Sequence, residues 1–248
     1  MKNIVPRSIA SQAVVIPGSK SISHRMLICA CLCNGISTIE NVLESEDVLL
    51  TAGCLKKMGA HIKKDNNNAY KVTGFSGLPK PYGDEIYLGN SGTSMRLLAG
   101  IAALGSSPYT LTGDKRMCER PMGELLDSLA MIDIQADSVN DTGAPPVKIH
   151  GTCRSGGDVT IDCSKSSQYL SALLMIAPFF EKGLDISLSS PPVSSPYIKL
   201  TMDIMEKFNV SVYQKSMTHF YVKGQQIYIP GTYAVEPDLS NAGYFWAI

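Results

Sequence analysis

The sequence predicts an α/β fold of the α+β type, built from three βαβαββ repeats around a pseudo-threefold axis. Three observations lead to this prediction. A helix-to-strand passage recurs three times at a spacing of roughly 75 residues. In each copy a strand leads into a helix start rich in Ser and Thr, and the following helix is apolar on most sides. The chain of 248 residues is long enough for a substantial buried core.

The recurring passage is the clearest element, because its core positions agree in all three copies. Leu55, Leu129 and Met205 occupy one apolar position, and another apolar residue follows each of them three residues later. This spacing is typical of a buried helix face. A residue suited to a left-handed conformation then ends each helix, before the alternating pattern of a strand. These helix-ending residues are Gly59, Asp133 and Asn209.

Two further elements complete each repeat. A short strand ends in glycine in every copy, at Gly74, Gly151 and Gly224. Earlier in each copy a strand runs into the polar helix start, over Val15–Ser21, Tyr87–Thr93 and Ile161–Ser167. Helices that are apolar on most sides are expected to be buried against sheets and other helices. These helices are Met26–Leu32, Leu97–Leu104 and Tyr169–Ala177.

A fourth copy begins at Tyr233–Ser240, and the sequence stops at Ile248 inside an apolar stretch. We therefore expect the chain to be part of a longer polypeptide. The alternative is that Tyr244–Ile248 forms a terminal docking helix.

Composition and charge exclude several classes of protein. Lys plus Arg and Asp plus Glu both number 22, so the chain lacks the positive surplus of a sequence-independent nucleic-acid binder. Residues Met1–Gln12 lack the apolar core of a signal peptide, and the longest apolar run, Tyr169–Phe180, is too short to cross a bilayer. We therefore expect the chain to bind neither nucleic acid nor membrane.

The seven cysteines show no disulfide spacing pattern, which indicates a reducing compartment, and we expect a cytoplasmic protein. Cys29, Cys31 and Cys33 resemble a metal-binding cluster at first. On a helix, however, Cys31 would point away from the other two, and no nearby His completes a site. We interpret the three as small buried apolar residues and predict no metal site.

Cations surround the polar helix starts. Lys20 and Arg25 flank the first start with His24 beside them, and Arg96 lies on the first turn after the second start. Helix N-termini offer free N–H groups and the positive end of the helix dipole, and Arg and Lys add full charges that bind phosphate or carboxylate. Ser and Thr at these places are also ordinary N-caps, but the cations favour an anion site where the repeats converge. Two more arginines, Arg116 and Arg120, precede the predicted helix at 122–131.

Common catalytic motifs are absent from the sequence. It contains no Gly-rich loop ending in Gly-Lys-Ser/Thr, no G-x-G-x-x-G, no H-E-x-x-H and no G-x-S-x-G. A kinase, dehydrogenase, metalloprotease or serine hydrolase is therefore unsupported.

Several of the polar segments resemble the signature motifs of the 5-enolpyruvylshikimate-3-phosphate (EPSP) synthase family. Pro17–Arg25 resembles the first signature, and Leu88–Leu97 resembles the second. Further matching segments follow in family order and spacing, so the resemblance covers essentially the whole chain. They are Arg116–Met122, Ser166–Leu170, Ser194–Ile198 and Val235–Asp238.

The resemblance implies two similar domains, each of three βαβαββ units, joined by a double crossover. Residues 1–19 would supply the first strand of an incomplete second domain, and residues 20–232 would form the complete three-repeat domain. Residues 233–248 would form the other crossover and a truncated helix of the second domain.

The resemblance also implies a reaction. Members of the family transfer the enolpyruvyl group of phosphoenolpyruvate to the 5-hydroxyl of shikimate 3-phosphate and release phosphate, a step of chorismate and aromatic amino-acid biosynthesis. It implies no metal or organic cofactor, and the only implied partners are these two small molecules. A monomer is expected.

The matched motifs imply roles for individual residues. Lys20 is implied to be catalytic and to contact both substrates, and Gln168 is implied to lie between them. Gly92 and Arg120 are implied to bind phosphoenolpyruvate, whereas Arg96 and His24 are interpreted as supporting residues. The residues implied to bind shikimate 3-phosphate are Lys20, Ser21, Arg25, Ser166, Ser167, Gln168, Ser194 and Tyr197.

The sequence departs from the family pattern in a few places. The family's acid–base carboxylates belong to the other domain, so turnover by this chain is in question. Leu97 stands where many members have Pro, and Asp133 and Asn209 stand where Gly is common. Two alternatives remain: the sister enolpyruvyl transferase that acts on UDP-N-acetylglucosamine, and a non-catalytic domain that binds a phosphate ligand. The Ser166-Ser167-Gln168 set argues against the first alternative.

Overall fold

The computed structural model describes residues 15–151, 153–239 and 242–243. Its helices are α1 (Lys20–Leu32), α2 (Glu46–Lys57), α3 (Gly92–Ala102), α4 (Gly123–Ala130), α5 (Gln168–Ile176) and α6 (Ser195–Lys207). Its strands are β1 (Ile36–Glu40), β2 (His61–Lys64), β3 (Tyr70–Thr73), β4 (Ile86–Tyr87), β5 (Tyr109–Thr112), β6 (Gln135–Ser138), β7 (Val147–His150), β8 (Gly157–Ile161), β9 (Leu184–Leu188), β10 (Tyr213–Ser216), β11 (His219–Val222) and β12 (Thr232–Ala234). Short 3₁₀ helices lie at Met117–Glu119 and Ala177–Phe179.

Within the described residues the strands form three four-stranded sheets of one design. The strand orders are β12-β1-β3-β2, β4-β5-β7-β6 and β8-β9-β11-β10. In each sheet the first two strands run parallel and the remaining neighbours run antiparallel. The second and third repeats therefore have the predicted order of strand, helix, strand, helix, strand, strand.

The first repeat obtains its first strand from a distant part of the chain. We predicted that strand before α1, but Val15, Ile16 and Pro17 form no strand, and Gly18 makes only an isolated bridge to Pro237. Proline has no N–H to donate to a strand ladder, which disfavours a strand through Pro17. Strand β12 instead forms the edge of the first sheet next to β1 and pairs with β1 in parallel.

Strand β12 also spans the predicted boundary between residues 232 and 233. The first sheet therefore includes residues as far as Ala234. The division into 1–19, 20–232 and 233–248 stays a prediction, and residues 1–14, 240–241 and 244–248 lie outside the described residues.

Helices α1, α3 and α5 are buried along nearly their whole length, as predicted from their apolar character. They contribute a large part of the hydrophobic core between the three sheets. Helix α3 packs tightly on α5, since a Cβ added to Gly100 would come within 3.0 Å of the Ala172 carbonyl oxygen. Burial of the three cysteines on and just after α1 is confirmed, because Cys29, Cys31 and Cys33 have no exposed surface.

The three predicted left-handed residues do end their helices with positive φ. The φ angles are 103° at Gly59, 60° at Asp133 and 66° at Asn209. In the same repeats, the glycines after β3, β7 and β11 lie against main-chain carbonyls at the ends of the buried helices. A Cβ at Gly74, Gly151 or Gly224 would collide with the carbonyl oxygen of Cys33, Ala103 or Phe180, respectively. The repeat is thus visible in its turns as well as its sheets.

None of the described helices combines the length and the apolar character needed to cross a membrane.

Candidate functional site

A polar cavity of about 340 Å³ lies where the first turns of α1, α3, α5 and α6 come together. The sequence predicted three converging helix starts, and α6 adds a fourth. Of these four helices, only α3 has a side-chain bond at its N-cap residue, in which the Ser94 N–H donates to Ser91 Oγ; the N-cap residues of α1, α5 and α6 make no such bond. The cavity is lined by Lys20, Ser21, Arg25, Thr93, Arg96, Arg120, Lys165, Ser166, Ser167, Gln168, Val193, Ser194 and Tyr197.

Arg25 is the most deeply buried cation of the cavity, with 1% of its surface exposed. Its Nε donates to Thr201 Oγ1 at 2.7 Å, and its Nη1 donates to the Ser21 carbonyl at 3.0 Å. Burial lowers the pKa of the guanidinium to about 10. No described acidic residue forms a salt bridge with Arg25, so its charge at the cavity is uncompensated.

Lys20 begins α1 and reaches across to α2. Its Nζ lies 2.9 Å from Asp47 Oδ2, and the lysine side chain is 48% exposed. The ammonium is therefore held at the cavity by an ion pair that is open to solvent. Such pairs contribute little to folding, so a ligand can compete for Lys20.

His24 lies behind this wall of the cavity and does not line it. It is fully buried, and its Nδ1 is 2.8 Å from Thr51 Oγ1, which in turn is 2.6 Å from Ser94 Oγ. This chain of hydrogen bonds joins α1, α2 and α3. Burial lowers the pKa of His24 to about 4, so the ring is neutral near pH 7. The supporting role expected for His24 agrees with these contacts.

Arg120 lies over the N-terminus of α3. Its Nη1 donates to the Asn90 carbonyl at 3.3 Å, and its guanidinium packs against Gly92. Burial lowers the pKa of Arg120, and the neighbouring charges of Arg96 and Arg116 lower it further. Gly92 itself is buried and does not line the cavity, so it acts there through Arg120.

Gln168 links the starts of α5 and α3. Its Oε1 accepts from Arg96 Nη1 at 3.0 Å, and its Nε2 donates to Thr93 Oγ1 at 3.0 Å. Arg96 is buried, and its guanidinium stacks 5.3 Å from the centre of the Tyr169 ring. These contacts orient the Gln168 carboxamide at the cavity, which agrees with the supporting role expected for Arg96.

The predicted serines line the cavity, but their local bonding differs. Ser166 Oγ accepts from the Gln168 N–H at 3.2 Å, as a helix-capping serine does. Ser167 is buried, and Ser194 has left-handed backbone angles, φ 55° and ψ 44°, at the start of α6. Tyr197 lies one turn along that helix and is 46% exposed. Ser166 therefore acts partly as a helix cap, as the alternative interpretation of these serines expected. Ser167 and Ser194 line the cavity without capping a helix through their side chains.

The cavity carries five cations and, among the described residues that line it, no carboxylate. The cations are Lys20, Arg25, Arg96, Arg120 and Lys165. Asp47 and Glu124 neutralise only the two lysines, from outside the lining. A site of this composition suits a ligand with several negative charges, which would also accept from the hydroxyls and free helix N–H groups.

Every residue predicted to bind a substrate, apart from Gly92, lines this one cavity. Arg116, an early candidate, is exposed and lies outside the lining. Sequence reasoning did not assign Thr93, Lys165 or Val193 to the site. Thr93 follows Gly92 and Lys165 precedes Ser166 in the sequence, and this adjacency to assigned residues could have indicated that they belong to the site. In the described part of the chain, no cluster of His, Cys, Asp and Glu could hold a metal ion.

Comparison with known proteins gives a consistent result. The family model of EPSP synthase (3-phosphoshikimate 1-carboxyvinyltransferase) matches residues 6–248. A 3-phosphoshikimate 1-carboxyvinyltransferase from Serratia proteamaculans is 42% identical over 247 residues, covering 98% of this chain and 57% of that protein. Another from Colwellia psychrerythraea is 43% identical over 239 residues, covering 94% of this chain and 56% of that protein.

Solved structures of similar fold include an EPSP synthase from Acinetobacter baumannii. It aligns with a TM-score of 0.83 and 27% identity over 94% of this chain and 51% of its own. The enolpyruvyl transferase NikO from Streptomyces tendae aligns with a TM-score of 0.64 and 16% identity, which is a likeness of fold alone. The chain spans about half the length of the relatives it matches.

Proposed function

The chain belongs to the EPSP synthase family, and on that premise we propose that its cavity binds shikimate 3-phosphate and serves enolpyruvyl transfer from phosphoenolpyruvate. The observation that carries the proposal is Arg25, a buried cation that faces the cavity without a described acidic partner. Burying an uncompensated charge is costly. The ring carboxylate of bound shikimate 3-phosphate would supply the missing negative charge.

The remaining walls of the cavity support the same ligand. Ser166, Ser167 and Ser194 offer hydroxyls at the starts of α5 and α6, where the N-cap residues Ser167 and Ser194 make no side-chain cap bond and a phosphate would also accept main-chain N–H groups. We assign the phosphate of shikimate 3-phosphate to these serines. We assign its ring to the side bounded by Ser21, Arg25 and Tyr197.

Phosphoenolpyruvate is assigned to the wall formed by Lys20, Arg120 and Gln168, with Gly92 beneath Arg120. In the proposed reaction the 5-hydroxyl loses its proton and adds to C2 of phosphoenolpyruvate while C3 gains a proton. The tetrahedral adduct then loses phosphate from C2 and a proton from C3, which restores the double bond. Lys20 borders both substrates in this arrangement and would stabilise charge that develops between them. Holding two anions side by side is the main task of the cations.

This proposal includes no metal or organic cofactor, and it makes the chain's partners the two small anions. We also propose that the protein is a cytoplasmic monomer. The names of the relatives support the reaction. Because the chain spans only about half of their length, its turnover has to be measured separately from its binding.

The test is a calorimetric titration of the 248-residue chain with shikimate 3-phosphate. We expect saturable binding that the substitution Arg25→Ala weakens by about 2–4 kcal/mol, the range for breaking a desolvated charge-assisted contact. Arg116→Ala is the matched control, because Arg116 is exposed and lies outside the cavity lining. An equal dissociation constant for the chain and its Arg25→Ala variant would exclude Arg25 from the site, and no binding by the unaltered chain would exclude the proposed function for it.

A further inference from the structure

Lys165 lines the cavity but its charge is directed away from it. Its Nζ lies 2.6 Å from Glu124 Oε1, and the lysine side chain is 59% exposed, against 18% for Glu124. Glu124 lies in the first turn of α4 and does not line the cavity. Lys165 immediately precedes Ser166 and Ser167, which are proposed to hold a phosphate.

The ion pair is of a kind that a ligand can displace. The lysine of this pair is exposed, so solvent screens the interaction, and ordering both side chains costs entropy. The lysine stem is long and flexible, and its ammonium is a point charge without a fixed direction of bonding. The negative charge of Glu124 remains stabilised when Lys165 leaves it, because the N-terminal first turn of a helix stabilises a carboxylate.

We propose that Lys165 is a specificity-determining residue that leaves Glu124 to bind the phosphate group of the acceptor substrate. Glu124 opposes this exchange and thereby sets how much Lys165 contributes to affinity. The inference rests on the proposed function, since it takes the acceptor to be shikimate 3-phosphate. It distinguishes the phosphorylated acceptor from shikimate, which lacks the phosphate.

The test is a set of calorimetric titrations with shikimate 3-phosphate and with shikimate. We expect Lys165→Gln to weaken shikimate 3-phosphate binding by about three- to fivefold, as for one solvent-exposed charge contact. Glu124→Gln should strengthen it by about two- to threefold, because it releases the lysine. Neither substitution should change the affinity for shikimate, and Glu124→Gln should have no effect when Lys165→Gln is also present.

The matched control is Lys215→Gln, which removes the same charge from an exposed ion pair with Asp185, outside the cavity lining. If Lys215→Gln weakens binding as much as Lys165→Gln does, the loss comes from the overall charge of the protein and not from a contact of Lys165, and the inference is wrong. Unchanged affinity in Lys165→Gln, with normal binding by the unaltered chain, overturns this inference alone. Absence of binding by the unaltered chain overturns the proposed function with it.

Discussion

The guanidinium of Arg120 rests directly on Gly92, so that a methyl group added at Gly92 would lie 2.5 Å from Arg120 Cζ and Nη1. The absence of a side chain at Gly92 therefore lets Arg120 lie flat over the N-terminus of α3. Arg120 Nη1 also donates to the Asn90 carbonyl, which fixes this position. Gly92 therefore positions Arg120, which lines the cavity, although Gly92 itself does not.

Gly92→Ala should displace Arg120 and weaken phosphoenolpyruvate binding. With the chain saturated in shikimate 3-phosphate, we expect the affinity for phosphoenolpyruvate to fall by at least about tenfold, because a desolvated charge contact moves out of reach. Affinity for shikimate 3-phosphate should change by less than about twofold, the scale of an indirect effect. Calorimetry with each ligand measures both. Equal losses for the two ligands, with a lowered midpoint of thermal unfolding, would mean that Gly92 acts through folding.

The contacts of Arg25 predict opposite effects on stability and on binding. Arg25→Met removes a buried charge, while Thr201 Oγ1 keeps its bonds to Ser171 Oγ and the Tyr197 carbonyl. We expect the free energy of unfolding in urea to stay equal or rise by about 1 kcal/mol, as for other replacements of buried charge by apolar groups. Shikimate 3-phosphate binding should weaken by about 2–4 kcal/mol, as for Arg25→Ala. A decrease in the free energy of unfolding of several kcal/mol would identify Arg25 as a structural residue.

Much of the fold could be predicted because it is encoded locally. The helix spacing and the left-handed ends at Gly59, Asp133 and Asn209 are properties of short segments, and the structure confirms them. The source of the first strand was not predictable in this way. Strand β12 pairs with β1 across almost two hundred residues of chain, and no local pattern distinguishes that pairing from a strand at Val15.

The site also combines features that could be predicted from local sequence with features that could not. The residues predicted to bind a substrate, apart from Gly92, lie together in the cavity lining. Lys165 and Thr93 were not assigned, because their place depends on how α3, α4 and α5 meet in three dimensions. The pairing of Lys20 with Asp47 and of Lys165 with Glu124 also depends on tertiary packing, since no helical spacing relates the partners.

His24 should make stability depend on pH. Its pKa is lowered from 6.5 to about 4, chiefly by burial; Asp47 raises it, and Arg25 and Lys20 lower it. The unfolded chain therefore takes up the proton at a higher pH than the folded chain. The contribution of neutral His24 to the free energy of unfolding should be present above pH 6.5 and should be lost as the pH falls towards 4. We expect the free energy of unfolding to decrease by about 2 kcal/mol between pH 7 and pH 5.

Urea unfolding at pH 7 and pH 5 measures this decline, and His24→Asn should remove most of it. His61→Gln is the control, because His61 is an exposed histidine on β2. If the His24→Asn and His61→Gln variants decline equally between the two pH values, His24 is not the group responsible.

Asp133 should respond to substitution as a left-handed residue. It ends its helix segment with φ 60°, a conformation that costs an ordinary side chain energy but costs glycine none. We expect Asp133→Gly to raise the free energy of unfolding by about 0.5–1 kcal/mol and Asp133→Ala to lower it. Chemical denaturation measures both changes. A lower stability in Asp133→Gly would show that contacts of the carboxylate outweigh the backbone strain. Shikimate 3-phosphate binding should be unchanged, since Asp133 lies outside the cavity lining.

The 248-residue chain should bind shikimate 3-phosphate without turning it over. The three described sheets and the buried helices between them share one continuous core, so we expect the chain to fold by itself. Enolpyruvyl transfer requires a proton to reach C3 and another to leave the 5-hydroxyl, and general acid–base groups must lie within hydrogen-bond distance. The described lining offers cations, hydroxyls and an amide, but no carboxylate.

Two measurements on the same sample test this last prediction. Adding shikimate 3-phosphate should shift NMR resonances at the starts of α1, α5 and α6, whereas adding phosphoenolpyruvate as well should release no phosphate. At the same ligand concentrations the Arg25→Met variant should show much smaller shifts and no release, which separates ligand binding from a general effect of added anions. Release of phosphate at a rate close to that of complete family members would place sufficient acid–base groups within this chain. Lys20 would then be the first candidate, because it lines the cavity between the two assigned substrate positions and carries exchangeable protons.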